Sequence, residues 1–223
     1  MRIHIQKIEE EHLYKTSGGS FYLKKGSNCI KLSSEEIAKE IGIRKQKRLI
    51  KEMDKLNSEL EKDPGNRILL TKKADVARLM NDIETMDLVY KELLTLNPKS
   101  SKTRIAHASA HESIGDLEGA LLILDLALQL NHNDSAILKS RGSMLRGLDR
   151  LNEALQSYKA ALKLKPEDYT IITQIGITLR KIGNYKESLY FLNYALSKAP
   201  KYRAAKYEKK ITYSKIFQKN IDH

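Results

Sequence analysis

His107 and His111 stand four residues apart, the spacing at which two imidazoles on one helix face can reach the same metal ion. No third ligand is spaced to complete such a site. The HExxH arrangement is also absent, because Glu112 follows His111 and not His107. Both histidines are therefore expected to pack against a neighbouring helix, with no metal and no cofactor. A second set is cationic: Arg78, Arg146 and Arg180 are separated by 68 and 34 residues. Guanidinium groups repeated along one surface can pair bidentately with carboxylates. The plain alternative is a row of solvated side chains on an exposed helix face.

Other chemistry finds no support. GxxxxGK[ST] and GxGxxG phosphate cradles are missing, the SGGS segment has no helix start behind it, and there is no GxSxG nucleophile turn. No grouping of acid, base and nucleophile suggests an enzyme, so a non-catalytic protein is expected.

The elements that must position these residues repeat. Pro98, Pro166 and Pro200 are 68 and 34 residues apart, and His132 stands where the missing proline would fall. Windows 67–100, 101–134, 135–168 and 169–202 then align. Position 8 carries Ala74, Ala108, Gly142 and Gly176; position 20 carries Met86, Ala120, Ala154 and Ser188; position 27 carries Leu93, Ala127, Ala161 and Ala195. Small residues recur where two helices would cross closely. Bulky Tyr90, Leu124, Tyr158 and Leu192 recur at position 24, beside those crossings. Each window reads as two helices with turn signals between them at Gly115–Asp116, Leu148–Arg150 and Gly183–Asn184.

This pattern of Leu-Gly, Tyr, Ala, aromatic, Ala and Pro at fixed offsets resembles the tetratricopeptide repeat family, and the last two windows match it best. Four repeats would cover 67–202, about three fifths of the chain. Position 4 departs from the pattern, with Leu70, Arg104, Leu138 and Ile172 and no aromatic. The resemblance implies an all-α right-handed solenoid that binds a partner's peptide or helix in its concave groove. Carried over by position, the groove would present Lys72, Asp75 and Arg78, then Lys102, Ser109 and Glu112, then Lys139, Ser143 and Arg146, then Thr173, Gln174, Ile177, Arg180 and Lys181. Position 6 carries Lys72, Ala106, Ser140 and Gln174, without the Asn of the family's clamp for chaperone C-termini. The implied role is a protein-interaction adaptor or scaffold for a protein or peptide partner, and the row of arginines would suit an acidic one. Reversing the charge of Arg146 and Arg180 together is expected to weaken that binding without lowering the melting temperature.

Repeat arrays need capped ends. Residues 203–223 read as a basic C-terminal capping helix whose inner face is Ala204, Tyr207, Ile211, Ser214 and Phe217 or Ile216. Residues 33–66 read as one long helix, or two broken near Gly42, opening on a capping box of Ser33 and Glu36, with Leu49, Met53, Leu56 and Leu60 on one stripe. Ala38 and Gly42 have the spacing of a helix-turn-helix turn. Arg44, Lys45, Lys47, Arg48 and Lys51 follow, where they could meet phosphates. A nucleic-acid-associated regulator is therefore the alternative function, although Leu49, Ile50 and Met53 are shifted from where a recognition helix would bury them. Residues 1–32 suggest a small β element of two or three strands, with a hairpin turn at Lys25–Asn28 and a flexible break at TSGGS.

Composition bounds these readings. The 223 residues carry a net charge of +12, and residues 167–223, with 11 Lys and Arg against 5 Asp and Glu, supply half of it. Nucleic acid, anionic lipid and acidic protein are all electrostatically suited partners. Cys29 is the only cysteine, which excludes an intrachain disulfide and fits a cytoplasmic setting. The charged start MRIHIQKIEEEH suggests neither a signal peptide nor a membrane span. Oligomeric state has no signature in the sequence.

Overall fold

The computed structural model describes residues 4–5, 12–15, 21–25 and 28–221. Met1–Pro64 and Gly65–His223 form two compact units.

In the first unit, β1 (His4–Ile5), β2 (His12–Lys15), β3 (Phe21–Lys25) and β4 (Asn28–Lys31) form an antiparallel sheet in sequence order. Among the described residues the sheet has four strands, one more than the upper expectation; two- and four-residue strands carry too little alternation to be read individually. Lys25 pairs with Asn28 and Leu23 with Ile30, the register expected of the hairpin. The TSGGS segment lies outside the described residues. Helix α1 (Ser34–Lys62) opens on the capping box: the Ser33 amide donates to Glu36 Oε2 at 2.8 Å, and the Glu36 amide donates to Ser33 Oγ at 3.2 Å. It is continuous through Gly42, so it is one helix and not two.

The second unit is a stack of helical hairpins: α2 (Arg67–Met80) with α3 (Ile83–Leu96), α4 (Ser101–Ser113) with α5 (Leu117–Leu130), α6 (Ser135–Gly147) with α7 (Leu151–Leu164), and α8 (Tyr169–Ile182) with α9 (Tyr185–Lys198). A last helix, α10 (Arg203–Ile221), follows. The 34-residue period is written into the chain breaks. Side-chain oxygens of Asp82, Asp116 and Asn184 accept amides at the starts of α3, α5 and α9, and Asn66, Ser100, Asp134 and Asp168 do so for α2, α4, α6 and α8. Arg150, before α7, is the one residue at these positions without a capping side-chain bond. Asn81, Gly115, Asp149 and Gly183, one per hairpin, take the left-handed conformation that turns the chain between the two helices.

The helix crossings explain the small residues. A Cβ on Gly142 would lie 2.8 Å from the Tyr158 ring, and one on Gly176 would lie 2.8 Å from Leu192 Cγ. Ala120, Ala154, Ser188, Ala161 and Ala195 are fully buried. Ser188 replaces an alanine without leaving its hydroxyl unpaired, because Oγ donates to the Gly176 carbonyl at 2.7 Å. Leu121, Leu124, Ile137, Leu145, Tyr158, Ile171 and Leu179 join in one core running through the second to fourth hairpins.

Helix α10 differs from its expected packing. Tyr207 and Phe217 are 65% and 68% exposed, whereas Ala205 and Thr212 are fully buried and Glu208 is half-buried. The inner face is thus rotated by about one residue from the one expected. Continuing the 34-residue register finds it: Ala205 follows Ile137 and Ile171, and Thr212 follows Met144 and Thr178, all buried. α10 therefore occupies the first-helix place of a fifth unit. Position in the repeat decided the face, against the larger apolar area of the aromatic residues.

Candidate peptide-binding surface

The first helices of successive hairpins approach one another, α4 with α6 and α8 with α10, and so share one face of the stack. The side chains on this face do not simply project into solvent. Arg78 Nη1 donates to Ser113 Oγ at 3.4 Å and lies 3.5 Å from Asp75 on its own helix. Lys139 Nζ donates to Thr170 Oγ1 at 3.4 Å. Arg146 donates to the Gln174 side-chain oxygen and lies over the Tyr158 ring, 5.8 Å from its centre. Arg180 Nη2 donates to Glu208 Oε2 at 2.8 Å. In each case a cation on one first helix reaches a polar side chain on the next.

The pattern sorts the expected groove residues. Lys72, Asp75 and Lys181 are exposed, and so are Lys102, Ser109 and Glu112 on α4. Lys139, Ser143, Arg146, Gln174, Ile177 and Arg180 are half-buried. Thr173 is fully buried and returns its hydroxyl to the Tyr169 carbonyl at 2.7 Å, so it belongs to the helix packing and is withdrawn from any ligand. Arg180 also changes meaning. Its side chain is 18% exposed and that of Glu208 is 16% exposed, so the ion pair is an internal tie between α8 and α10. A charge reversal there would place two carboxylates together, and the expectation of an unchanged melting temperature does not hold.

The basic stretch of α1 is arranged differently from a helix-turn-helix. The helix runs unbroken past Ala38 and Gly42, so the turn that would set a recognition helix apart is missing. Arg44 is tied to Glu40 at 2.6 Å, one turn back, while Lys45, Lys47, Arg48 and Lys51 are exposed. A solvated helix side explains this geometry.

His107 and His111 are both buried, as packing histidines should be. The His107 ring stacks on Tyr90 with centroids 4.5 Å apart. The structure adds a residue that sequence spacing missed. Asp87, on α3, places Oδ1 2.6 Å from His107 Nε2 and 2.8 Å from His111 Nε2, and Asp116 Oδ2 lies 2.7 Å from His111 Nδ1. Burial drives His107 below its ordinary value despite Asp87. Burial also opposes charge on His111, but hydrogen bonds to the Asp87 and Asp116 carboxylates outweigh it and raise that group.

A family profile described as tetratricopeptide repeat matches residues 140–168, which span most of α6 and all of α7. That stretch is a tetratricopeptide repeat. Solved structures agree in fold. A tetratricopeptide repeat protein from Parabacteroides merdae ATCC 43184 superposes with TM-score 0.60 at 22% identity, covering 79% of this chain and 70% of that one. YrrB, described as a tetratricopeptide repeat protein with an unusual peptide-binding site, gives 0.55 at 20% identity over 74% of this chain and 84% of its own. MamA gives 0.53 at 20% identity over 67% and 87%. No curated protein matches the sequence. Among the described residues, no helix is long and apolar enough to cross a membrane.

Proposed function

We propose that the chain is a non-catalytic interaction scaffold that receives an extended or helical segment of a partner protein along the face formed by α2, α4, α6 and α8. The observation that carries this reading is Arg146. It is half-buried and oriented by the Tyr158 ring, and its hydrogen-bond partner, Gln174, is neutral. A guanidinium held in place without a carboxylate of its own can bind one from a ligand at little cost in side-chain entropy. Lys139 adds a second cation bonded to a neutral group, Thr170, with Asp168 nearby. Lys72, Lys102 and Lys181 add exposed positive charge on α2, α4 and α8. The partner segment is accordingly acidic. The peptide-binding site named for YrrB supports the same use of a similar fold.

A displayed library of random peptides, selected on the purified chain and re-measured by fluorescence anisotropy, tests this reading. Selected peptides should be rich in Asp and Glu, and Lys139→Gln with Arg146→Gln should weaken them at least tenfold. Peptides of neutral composition whose affinity the double substitution leaves unchanged would remove the proposal.

A further inference from the structure

The chemistry at the boundary between the first two hairpins exceeds what two packing histidines need. Asp87 on α3 and His107 and His111 on α4 each offer one ligand atom, and these three atoms lie within 4.8 Å of one another. Counting protons exposes a shortage. His111 contacts a carboxylate with each ring nitrogen, Asp116 at Nδ1 and Asp87 at Nε2. A neutral imidazole has a single N–H. If Nδ1–H is donated to Asp116, the Nε2 lone pair faces the Asp87 oxygen 2.8 Å away, and a cation shared by the two groups would relieve that contact once they part. The surroundings are those of a ligating histidine: a carboxylate on the far nitrogen that fixes the tautomer and turns Nε2 inward.

We infer that Asp87, His107 and His111 form a zinc-class metal site bridging α3 of the first hairpin and α4 of the second, with Asp116 as the residue that positions His111. Two imidazoles and one carboxylate suit Zn²⁺ or Co²⁺ and disfavour Mg²⁺ and Ca²⁺, which require a shell of oxygens. Two acidic groups, Asp87 and Asp116, offset the charge of the ion, and Lys91 is a neighbouring cation that opposes it. The present contacts of 2.6 and 2.8 Å would open by roughly half an ångström to admit a metal at about 2.0–2.1 Å from each donor. The Asp87 side chain is 35% exposed, so a water can complete the shell from outside. Bound metal would join the first hairpin to the second.

The full chain, stripped with EDTA at pH 7.5, should bind one Zn²⁺ by calorimetry and melt at a higher temperature with zinc, reversibly on re-adding chelator. Millimolar Mg²⁺ should have no effect. Asp87→Asn and His107→Gln should each weaken zinc at least tenfold and remove the visible absorption of bound Co²⁺. Asp116→Asn retains an oxygen to cap α5 while losing the carboxylate against His111; it should weaken zinc roughly 10–100-fold and shift the Co²⁺ spectrum. A wild-type chain whose melting is indifferent to zinc would overturn the assignment in favour of a proton between His111 and Asp87. Undiminished zinc binding by both Asp87→Asn and His107→Gln would overturn it as well, placing the ion at other histidines.

Discussion

Arg180 on α8 donates to Glu208 on α10 at 2.8 Å, and Arg146 on α6 reaches Gln174 on α8 across the same interval of 28 residues. The repeat therefore copies a contact as well as a fold: an arginine late in one first helix bonds a side chain early in the next. At the end of the array the acceptor is charged, and a groove arginine becomes a structural one.

That relationship fixes the outcome of a double-mutant cycle. Arg180→Gln and Glu208→Gln should each lower the melting temperature, because each leaves a half-buried partner without its counter-charge. The double substitution should lose less than the sum, with a coupling of roughly 0.5–3 kcal/mol. Acidic-peptide binding should be less sensitive to Arg180→Gln than to Arg146→Gln. Additive losses in thermal or urea unfolding would show that the pair is not coupled.

Asp134 and Asp168 make the stack sensitive to acid. Burial raises both carboxyls, but hydrogen bonds oppose it and leave both below the ordinary range: the Ser101 hydroxyl and two amides on Asp134, the Thr170 hydroxyl and two amides on Asp168. Between the lowered native value and the ordinary one the unfolded chain holds more protons, so stability rises with pH across that window. The contribution is complete above about pH 4 and disappears as pH falls through the native values. Asp134→Asn with Asp168→Asn keeps capping oxygens. It should flatten the fall of urea-unfolding stability as pH drops below about 4 while leaving a folded protein at pH 7.

Much of the fold was legible because the period of 34 averages over local ambiguity. Helix crossings at Gly142 and Gly176 and caps at Asp116 and Asn184 follow from residue type at a fixed offset. The inner face of α10 was legible in principle, by carrying the register on to Ala205 and Thr212. Aromatic residues at helical spacing pointed elsewhere. Asp87 was not legible. It lies 20 and 24 residues from His107 and His111, on another helix, and only the packing of α3 on α4 brings its oxygen to both rings. The groove was legible as a set of positions and not as a set of free charges, since Ser113, Gln174 and Glu208 are partners set by how far one first helix stands from the next.

Arg150 precedes α7 with backbone angles close to those of Asp116 and Asn184, φ −80° and ψ 60° against −84° and 74° and −82° and 73°. Its side chain cannot accept an amide, and it pairs instead with exposed Glu153. Arg150→Asn should supply the missing acceptor and raise the melting temperature by a few degrees. The same substitution removes the exposed ion pairs to Glu153 and Glu118, which contribute little. A lower melting temperature by scanning calorimetry would show that the pair matters more than the cap.

Two glycines of similar helical setting should respond in opposite senses to alanine. Gly42, in α1, has nothing within 4 Å of where a Cβ would stand. Gly42→Ala should stabilise that helix by up to about 1 kcal/mol, the difference in helix propensity. Gly176, in α8, has Leu192 Cγ at 2.8 Å and the Ser188 carbonyl at 3.3 Å from the same point. Leu192 is fully buried and Cγ is its branch point, so the side chain cannot rotate its way clear, and Ser188 is held by its own bond to the Gly176 carbonyl. Overpacking of this kind costs about 1–3 kcal/mol, which exceeds the propensity gain over most of its range. Gly176→Ala should therefore lower stability by up to about 2 kcal/mol, read by hydrogen exchange as faster opening of α8 and α9, while Gly42→Ala slows exchange in α1. Slower exchange in both variants would mean that α8 and α9 can separate enough to admit a methyl group, and that the small residues at this position reflect something other than close crossing.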